Sequence, residues 1–134
     1  MIITKLQIRF NDMDPMQRVN NATYSSYLEL GRLDFCNKYL TIRELADIPF
    51  VLVRIEMDIV KSLLPLHNAE VHTSVSHIGT SSWEFSYEII DSDTSEIYVK
   101  AKSTQVYFDY RLQTKRKIPD DFRKNLQAEM KNPL

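Results

Sequence analysis

The chain of 134 residues contains only two glycines, Gly31 and Gly79, and this scarcity limits how it could bind a nucleotide. The Rossmann fingerprint and the P-loop each need two or three closely spaced glycines that bring the backbone up to a phosphate. Both motifs are therefore excluded, although a nucleotide could bind in another way. Cys36 is the only cysteine, so no disulfide can form within the chain, which fits a reducing compartment.

Long hydrophobic runs and an excess of charge of one sign are also missing. No stretch approaches the roughly 18 apolar residues of a membrane span, and the N-terminus lacks the apolar core of a signal peptide. Lys and Arg number 17, Asp and Glu number 18, and the net charge of −1 gives no general attraction to nucleic acid. We therefore expect one cytoplasmic domain over residues 1–134, with no membrane span and no nucleic-acid partner.

The three histidines, His67, His72 and His77, do not predict a metal site. His72 and His77 are an odd number of residues apart, so on one strand they would face opposite sides. No cysteine or carboxylate pair completes a ligand set around them. We therefore expect neither a metal nor a separate cofactor.

Hydrophobic periodicity predicts a strand, a loop and a long helix in the first 40 residues. Residues 5–10 alternate apolar and polar side chains, which is typical of a half-buried strand. Residues 22–40 place apolar side chains at three- and four-residue steps, which predicts an amphipathic helix. Asn20 or Asn21 could cap it by accepting a hydrogen bond from the first turn. Gly31 costs about 1 kcal/mol inside a helix, so we expect the helix to approach another backbone closely there.

The rest of the chain predicts consecutive strands and a short final helix that begins at Asp120. Alternating apolar and polar side chains mark the strands, at residues 50–59, 69–78, 82–90 and 96–108. Consecutive strands joined by short turns pair antiparallel, and one helix on one face of such a sheet gives an α+β layer fold.

This order of elements and the segment from Arg9 to Arg32 resemble the hot-dog fold acyl-CoA thioesterases of the 4-hydroxybenzoyl-CoA thioesterase type. The matching residues are Arg9-Phe10, Asp12, Asp14, Val19-Asn20-Asn21, Tyr24, Tyr27, Glu29 and Arg32. Residues 77–89 and 106–126 are also similar to that family, so the resemblance covers nearly the whole chain. It implies a curled antiparallel β-sheet wrapped around a long central α-helix.

The resemblance also implies a reaction, the hydrolysis of an acyl-CoA, and assigns Asp14 as its nucleophile or general base. Pro15 disfavours the helical region for the residue before it, so Asp14 should be extended. Where the family often has Gly-His, this chain has Gln17-Arg18. The missing histidine is tolerable, because a thiol with a pKa of about 8.5 leaves as an anion without a general acid.

The family register places an oxyanion donor at the helix start, at the backbone N–H of Asn21 or close to it. First-turn N–H groups have no intrahelical partner and carry partial positive charge. The predicted substrate-binding residues are Arg18, Asn20, Tyr24, Thr80, Ser81 and Ser82. The last three would line the passage for the pantetheine arm. The basic run Lys115–Lys117 could meet the phosphates of coenzyme A or could simply be solvated.

Asp12 and Glu29 are alternatives to Asp14. If the strand continues, Asp12 and Asp14 point to opposite faces, and we expect Asp12 to order the loop. We expect Glu29 to make an ion pair or a hydrogen bond beneath that loop. Arg18 has three interpretations, since it could neutralise Asp14, meet a substrate anion or be solvated.

In the family the pocket lies between subunits whose sheets join edge to edge, which implies a homodimer or a homotetramer. A strand rich in Val, Ile, Tyr and Phe invites pairing at a sheet edge, and residues 97–108 are one candidate. Two other functions stay open: a non-catalytic acyl-thioester or lipid-binding module, and a hot-dog dehydratase or hydratase. The latter normally relies on a histidine, and the first 66 residues contain none. The acyl group is not predicted, nor whether coenzyme A or acyl carrier protein carries it.

Overall fold

A computed structural model describes residues 1–131 as one sheet and two α-helices, joined by loops that include the 3-10 turns Phe10–Asp12 and Leu45–Asp47. In chain order the elements are β1 (Ile2–Lys5), α1 (Thr23–Tyr39), β2 (Phe50–Ile59), β3 (Ala69–Ile78), β4 (Ser82–Asp91), β5 (Ile97–Asp109), β6 (Thr114–Lys115) and α2 (Asp120–Ala128). In this part of the chain, neither helix combines the length and the apolar character needed to cross a bilayer.

The sheet has the strand order β1-β3-β4-β5-β2, all neighbours are antiparallel, and β6 pairs with the end of β5. The helix α1 packs against β1 and β3 on the inner face of the curled sheet. The predicted α+β hot-dog fold, a curled antiparallel sheet around one long helix, is therefore confirmed.

The inner side of α1 is the apolar stripe that the sequence predicts, with Tyr24, Leu28 and Phe35 fully buried. Gly31 lies against β3. A Cβ atom at this position would lie far inside the van der Waals distance of Thr73 Oγ1 and 3.3 Å from Val71 Cγ1. The expected close approach exists, but it is to side chains of the sheet rather than to its backbone.

An aromatic cluster joins the two helices to the middle of the sheet. The ring of Phe35 on α1 lies 5.2 Å from that of Phe85 and 5.9 Å from that of Phe122, and Trp83 lies 5.1 Å from Phe122. The helix α2 begins at Asp120 and buries Phe122 and Leu126, as predicted. Burial of these large rings supplies much of the hydrophobic stabilisation of this end of the molecule.

The first strand lies earlier than predicted. It covers Ile2–Lys5 instead of residues 5–10, and its ladder ends where Lys5 faces Glu70. The partner strand β3 begins at Ala69, so within residues 1–131 the chain beyond Leu6 has no strand to pair with. Phe10, expected on the buried face of a strand, is 92% exposed.

Within residues 1–131, the long free edge of the sheet is the strand β2. The segment 97–108, which the sequence predicts as an edge, is not at an edge. The strand β5 lies between β4 and β2 and is paired on both sides, so the predicted edge assignment is wrong. Because α1 covers β1 and β3, the inner face of β2 remains partly open, and Leu52, Ile55 and Ile59 are 42%, 37% and 38% exposed. The opposite edge is short, since β1 has four residues. Beyond it Met130 forms a parallel bridge with Val75 of β3.

Candidate active site

The segment between β1 and α1 forms a tight hairpin that presents Asp14. Met13 and Val19 make an antiparallel bridge at its base. The Asp14 N–H donates to the carbonyl of Arg18 at 2.7 Å, and the Gln17 N–H donates to the carbonyl of Asp14 at 3.0 Å. These bonds hold the predicted catalytic residue at one position of a closed turn.

The carboxylate of Asp14 is fixed on one side only. Its Oδ1 accepts from the backbone N–H of Met16 at 2.8 Å and of Arg18 at 3.2 Å. Within residues 1–131, Oδ2 has no hydrogen-bond or ion-pair partner, and the residue is partly buried. One oxygen therefore orients the side chain while the other stays available.

The start of α1 offers one free backbone donor close in sequence to that carboxylate. Asn20 accepts twice here: its Oδ1 takes the N–H of Ala22 at 3.0 Å, and its carbonyl takes that of Thr23 at 2.9 Å. Asn20 thus turns the chain just ahead of the helix, and Ala22 occupies the N-cap position itself. Between Asp14 and Thr23, the N–H of Asn21 alone lacks an acceptor among residues 1–131. The family register predicts the oxyanion donor at this N–H.

Asp12 orders the loop, as predicted. Its Oδ2 accepts from the hydroxyl of Tyr27 at 2.7 Å and from the N–H of Arg9 at 2.9 Å, and its carbonyl accepts from the N–H of Asn20 at 2.8 Å. Burial and the neighbouring Asp12 carboxylate raise the pKa of Tyr27 well above its usual value, so the phenol stays a donor. The loop is thereby bound to the side of α1.

Tyr24 supports the site from below and does not reach its surface. Its side chain is fully buried, and its hydroxyl accepts from the N–H of Leu63 at 3.0 Å, while the Val19 N–H donates to the carbonyl of Leu63. Burial, with the charge of Asp14 as a smaller cause, raises the pKa of Tyr24. In a single chain Tyr24 therefore holds the 61–66 loop in place, and the expected direct contact with substrate is not accessible.

An open groove of about 610 Å³ lies beside Asp14. Its walls are mostly apolar: Ile8, Phe10, Met13, Pro15 and Pro65. Arg9 and Gln17 complete it, so Asp14 and Arg9 bring one charge of each sign. Sequence reasoning missed Pro65, because the loop between β2 and β3 has no periodic pattern that could indicate its place.

The structure does not bring Thr80, Ser81 and Ser82 to this groove. They lie at the far end of β3, and its ten residues at about 3.3 Å each separate the two ends by roughly 30 Å. Their backbone carbonyls serve the fold: that of Thr80 accepts from the Ile118 N–H at 3.0 Å, and that of Ser81 from the Tyr107 N–H at 2.8 Å.

The remaining predicted residues lie on the surface. Arg18 is exposed, and its side chain forms no ion pair with Asp14. Asn20 and Asn21 are also exposed. Glu29 is exposed and has no ion pair or hydrogen bond in residues 1–131, so its expected contact beneath the loop is wrong. In the basic run, Arg116 Nε lies 3.8 Å from Asp109 Oδ2, far along the chain from the groove.

Comparison with known proteins gives a consistent result. The model of the thioesterase-like superfamily matches residues 8–126 of this chain. A predicted thioesterase from Bacillus stearothermophilus is 24% identical with a TM-score of 0.88, over 98% of this chain and 97% of that one. A thioesterase from Thermus thermophilus, complexed with coenzyme A and Zn, is 25% identical with a TM-score of 0.85, over 98% and 96%.

More distant structures share the same fold. A 1,4-dihydroxy-2-naphthoyl-CoA thioesterase from Synechocystis is 13% identical with a TM-score of 0.81, over 93% of this chain and 94% of that one. No curated protein sequence matches the chain.

Proposed function

The chain belongs to the thioesterase-like superfamily, and on that premise we propose that it hydrolyses an acyl-CoA thioester to the free acid and coenzyme A. The observation that carries the proposal is that, within residues 1–131, a carboxylate with one oxygen free of hydrogen bonds and a free backbone N–H donor occur in the same segment. Asp14 lines the groove with its Oδ2 unused, and Asn21 at the helix start has the one N–H of this segment that finds no acceptor in residues 1–131. We assign the chain to the 4-hydroxybenzoyl-CoA thioesterase type because its carboxylate lies in this loop and not on α1.

Two routes are open to Asp14. As a nucleophile, Oδ2 attacks the thioester carbonyl, the C–S bond breaks with its electron pair on sulfur, and water hydrolyses the resulting acyl–Asp14 anhydride. As a general base, Oδ2 takes a proton from the water that attacks the carbonyl. In both routes the N–H of Asn21 stabilises the oxyanion, and loss of such a donor typically costs about 10²–10³ in rate.

A single turnover in H₂¹⁸O tests the nucleophilic route. Label in the Asp14 carboxylate with an unlabelled first molecule of acid shows an anhydride that water opens at Cγ of Asp14. Label in the acid alone fits either a general base or an anhydride opened at the acyl carbon, and trapping of an acyl–Asp14 adduct with hydroxylamine distinguishes these two.

We propose further that the working enzyme contains two or more copies of the chain. In one chain Asp14 and Thr80–Ser82 are separated by the length of β3, so a site that uses both needs a second copy. The strand β2 is a free edge of ten residues in the described part of the chain, with Arg54, Glu56 and Asp58 on its outer face. Paired antiparallel with itself, it would place Arg54 opposite Glu56 or Asp58 of the partner subunit, and opposite charges across strands are favourable.

The test of the activity is thiol release from short, long, branched and aromatic acyl-CoAs, with Asp14→Asn beside the parent. An asparagine Oδ1 can still accept from Met16 and Arg18, so the turn should persist while the carboxylate is lost. We expect kcat/KM to fall by about 10²–10⁴-fold or more at unchanged circular dichroism.

Three other results would contradict the proposal. Retained activity in Asp14→Asn would remove Asp14 from the chemistry. Binding of acyl-CoA by the parent without thiol release would favour a non-catalytic binding module. Formation of a 3-hydroxyacyl product from enoyl-CoA would favour a hydratase.

A further inference from the structure

One of the largest exposed apolar side chains of the molecule lines the groove that contains Asp14. Phe10 is 92% exposed, and four further apolar residues line the same groove. Isolated exposed apolar residues need no explanation, but apolar side chains gathered along one concave surface indicate a binding site.

The backbone that carries Phe10 is held by hydrogen bonds within the chain. Phe10 opens a 3-10 turn in which its carbonyl accepts from the Met13 N–H at 3.2 Å. The Asp12 carboxylate accepts from the N–H of Arg9, which closes the turn, and from the hydroxyl of Tyr27, which attaches the turn to α1. Because this backbone is already ordered, binding has only the side-chain rotation of Phe10 left to restrict.

We propose that this groove binds the acyl chain of the substrate and selects uncharged hydrocarbon chains by their length, with Phe10 as a specificity-determining residue. The inference rests on the proposed function, because a thioester carbonyl at Asp14 directs its acyl chain along the surface next to that carboxylate. Five apolar side chains form the walls, and the charges of Asp14 and Arg9 cancel. The groove therefore offers contact area to methylene groups and no net attraction to an acyl group that ends in a carboxylate.

The expected signature is a dependence on chain length. Burying one methylene group is worth about 0.8 kcal/mol, which corresponds to roughly a fourfold gain in affinity per carbon at 25 °C. The gain stops when the chain outgrows the groove. Removal of the Phe10 ring takes away one wall of the groove and should reduce the gain in affinity per carbon. The affinity for the shortest chains should change little.

Binding can be measured without hydrolysis. We would titrate S-alkyl-CoA thioethers from butyl to dodecyl, which cannot be hydrolysed, into parent and Phe10→Ala by calorimetry. The parent should gain about threefold to fourfold in affinity per methylene, and Phe10→Ala should show about half that gain in logarithmic terms. Leu45→Ala is the matched control, because Leu45 is 83% exposed and lies beside Tyr110, outside the groove. It should bind like the parent.

The outcomes separate this inference from the proposed function. An affinity independent of chain length, a steep gain unchanged in Phe10→Ala, or tightest binding of a thioether that ends in a carboxylate would each overturn the inference. A steep gain that Phe10→Ala reduces supports it. If the parent shows that gain but releases no thiol from any acyl-CoA, the groove assignment stands and the proposed hydrolysis fails.

Discussion

Gln17 adopts a left-handed backbone conformation, with φ at 60°, in the turn that presents Asp14. A side chain with a Cβ pays about 1–2 kcal/mol in this region, and glycine enters it freely. The resembled family often carries glycine at this position, and the geometry of the turn explains that preference. In this chain a residue that does not favour the left-handed region occupies it.

At the residue scale we therefore predict opposite effects of two substitutions at this position. Gln17→Gly should leave the free energy of unfolding unchanged or raise it by up to about 1 kcal/mol, since relief of strain outweighs the greater freedom of the unfolded chain. Gln17→Val should lower it by about 1–2 kcal/mol, because a β-branched residue with positive φ is strongly disfavoured. Urea denaturation measures both values.

Met16→Val is the control for that pair. Met16 is exposed in the same turn but is not among the residues with positive φ. The change should have a much smaller effect than Gln17→Val. Equal losses at the two positions would show that β-branching and not backbone strain is responsible.

Single residues of the site were predictable where a local rule determined them. Asp12 is the example, since the sequence predicts that it orders the loop and its hydrogen bonds hold that loop. The sequence predicts Phe10 on a buried strand face, because it continues the alternation of Leu6 and Ile8. Its exposure depends on where β3 begins, which the sequence around Phe10 does not contain.

At the scale of elements, the contact between α1 and β3 depends on Gly31. Thr73 Oγ1 occupies the space that a Cβ would need, and this buried hydroxyl has no hydrogen-bond partner in the described part of the chain. A core at native packing density cannot absorb an extra carbon there without moving the helix or the strand.

We predict that Gly31→Ala lowers the free energy of unfolding by about 1–3 kcal/mol, because overpacking outweighs the gain of about 1 kcal/mol in helix propensity. Thr73→Ala removes the atom responsible, so it should restore much of the loss when combined with Gly31→Ala. A double-mutant cycle in urea measures that coupling. Additive losses would mean that the strain lies elsewhere.

The predicted elements match the structure where neighbouring residues define them. Alternation located β2, β3, β4 and β5 almost to the residue, and Asp120 began the last helix as expected. The order of the strands cannot be read from this pattern, so the sequence predicts an edge at residues 97–108 although β5 is interior. The two-residue strand β6 is too short to produce a periodic signal.

At the scale of the whole molecule, the proposed site exceeds one chain. The groove and the turn at Thr80–Ser82 lie at opposite ends of β3, and only a second copy could bring such a turn to Asp14. The free edge β2 is the surface we expect that copy to use. Its outer face carries an Arg54–Glu56 ion pair at 3.2 Å, which is exposed in the single chain.

We predict that Arg54→Glu weakens self-association, because it sets like charges opposite each other across the two copies of β2. Sedimentation at micromolar concentration should show an oligomer for the parent and a shift toward monomer for this variant. A parent that sediments as a monomer would contradict the shared site.

Two charge-restoring variants report the register. If the two-fold axis between the two β2 strands passes through residue 55, residue 54 faces residue 56 of the other copy. The double variant Arg54→Glu, Glu56→Arg should then recover association. If the two-fold axis passes through residue 56, residue 54 faces residue 58 of the other copy. The double variant Arg54→Glu, Asp58→Arg should then recover association. Recovery by neither would show that the copies meet on another surface.

The two edges of the sheet differ in length, and this difference limits how many copies of the chain can add to one another by strand pairing. One border is a four-residue strand continued by the bridge between Val75 and Met130, and the other is the long strand β2. If a two-fold axis pairs the long edge strand β2 of two copies, only their short edges remain exposed. In the proposed dimer, strand-by-strand polymerisation would therefore end after one step, so the asymmetry that permits pairing would also oppose fibrillar propagation.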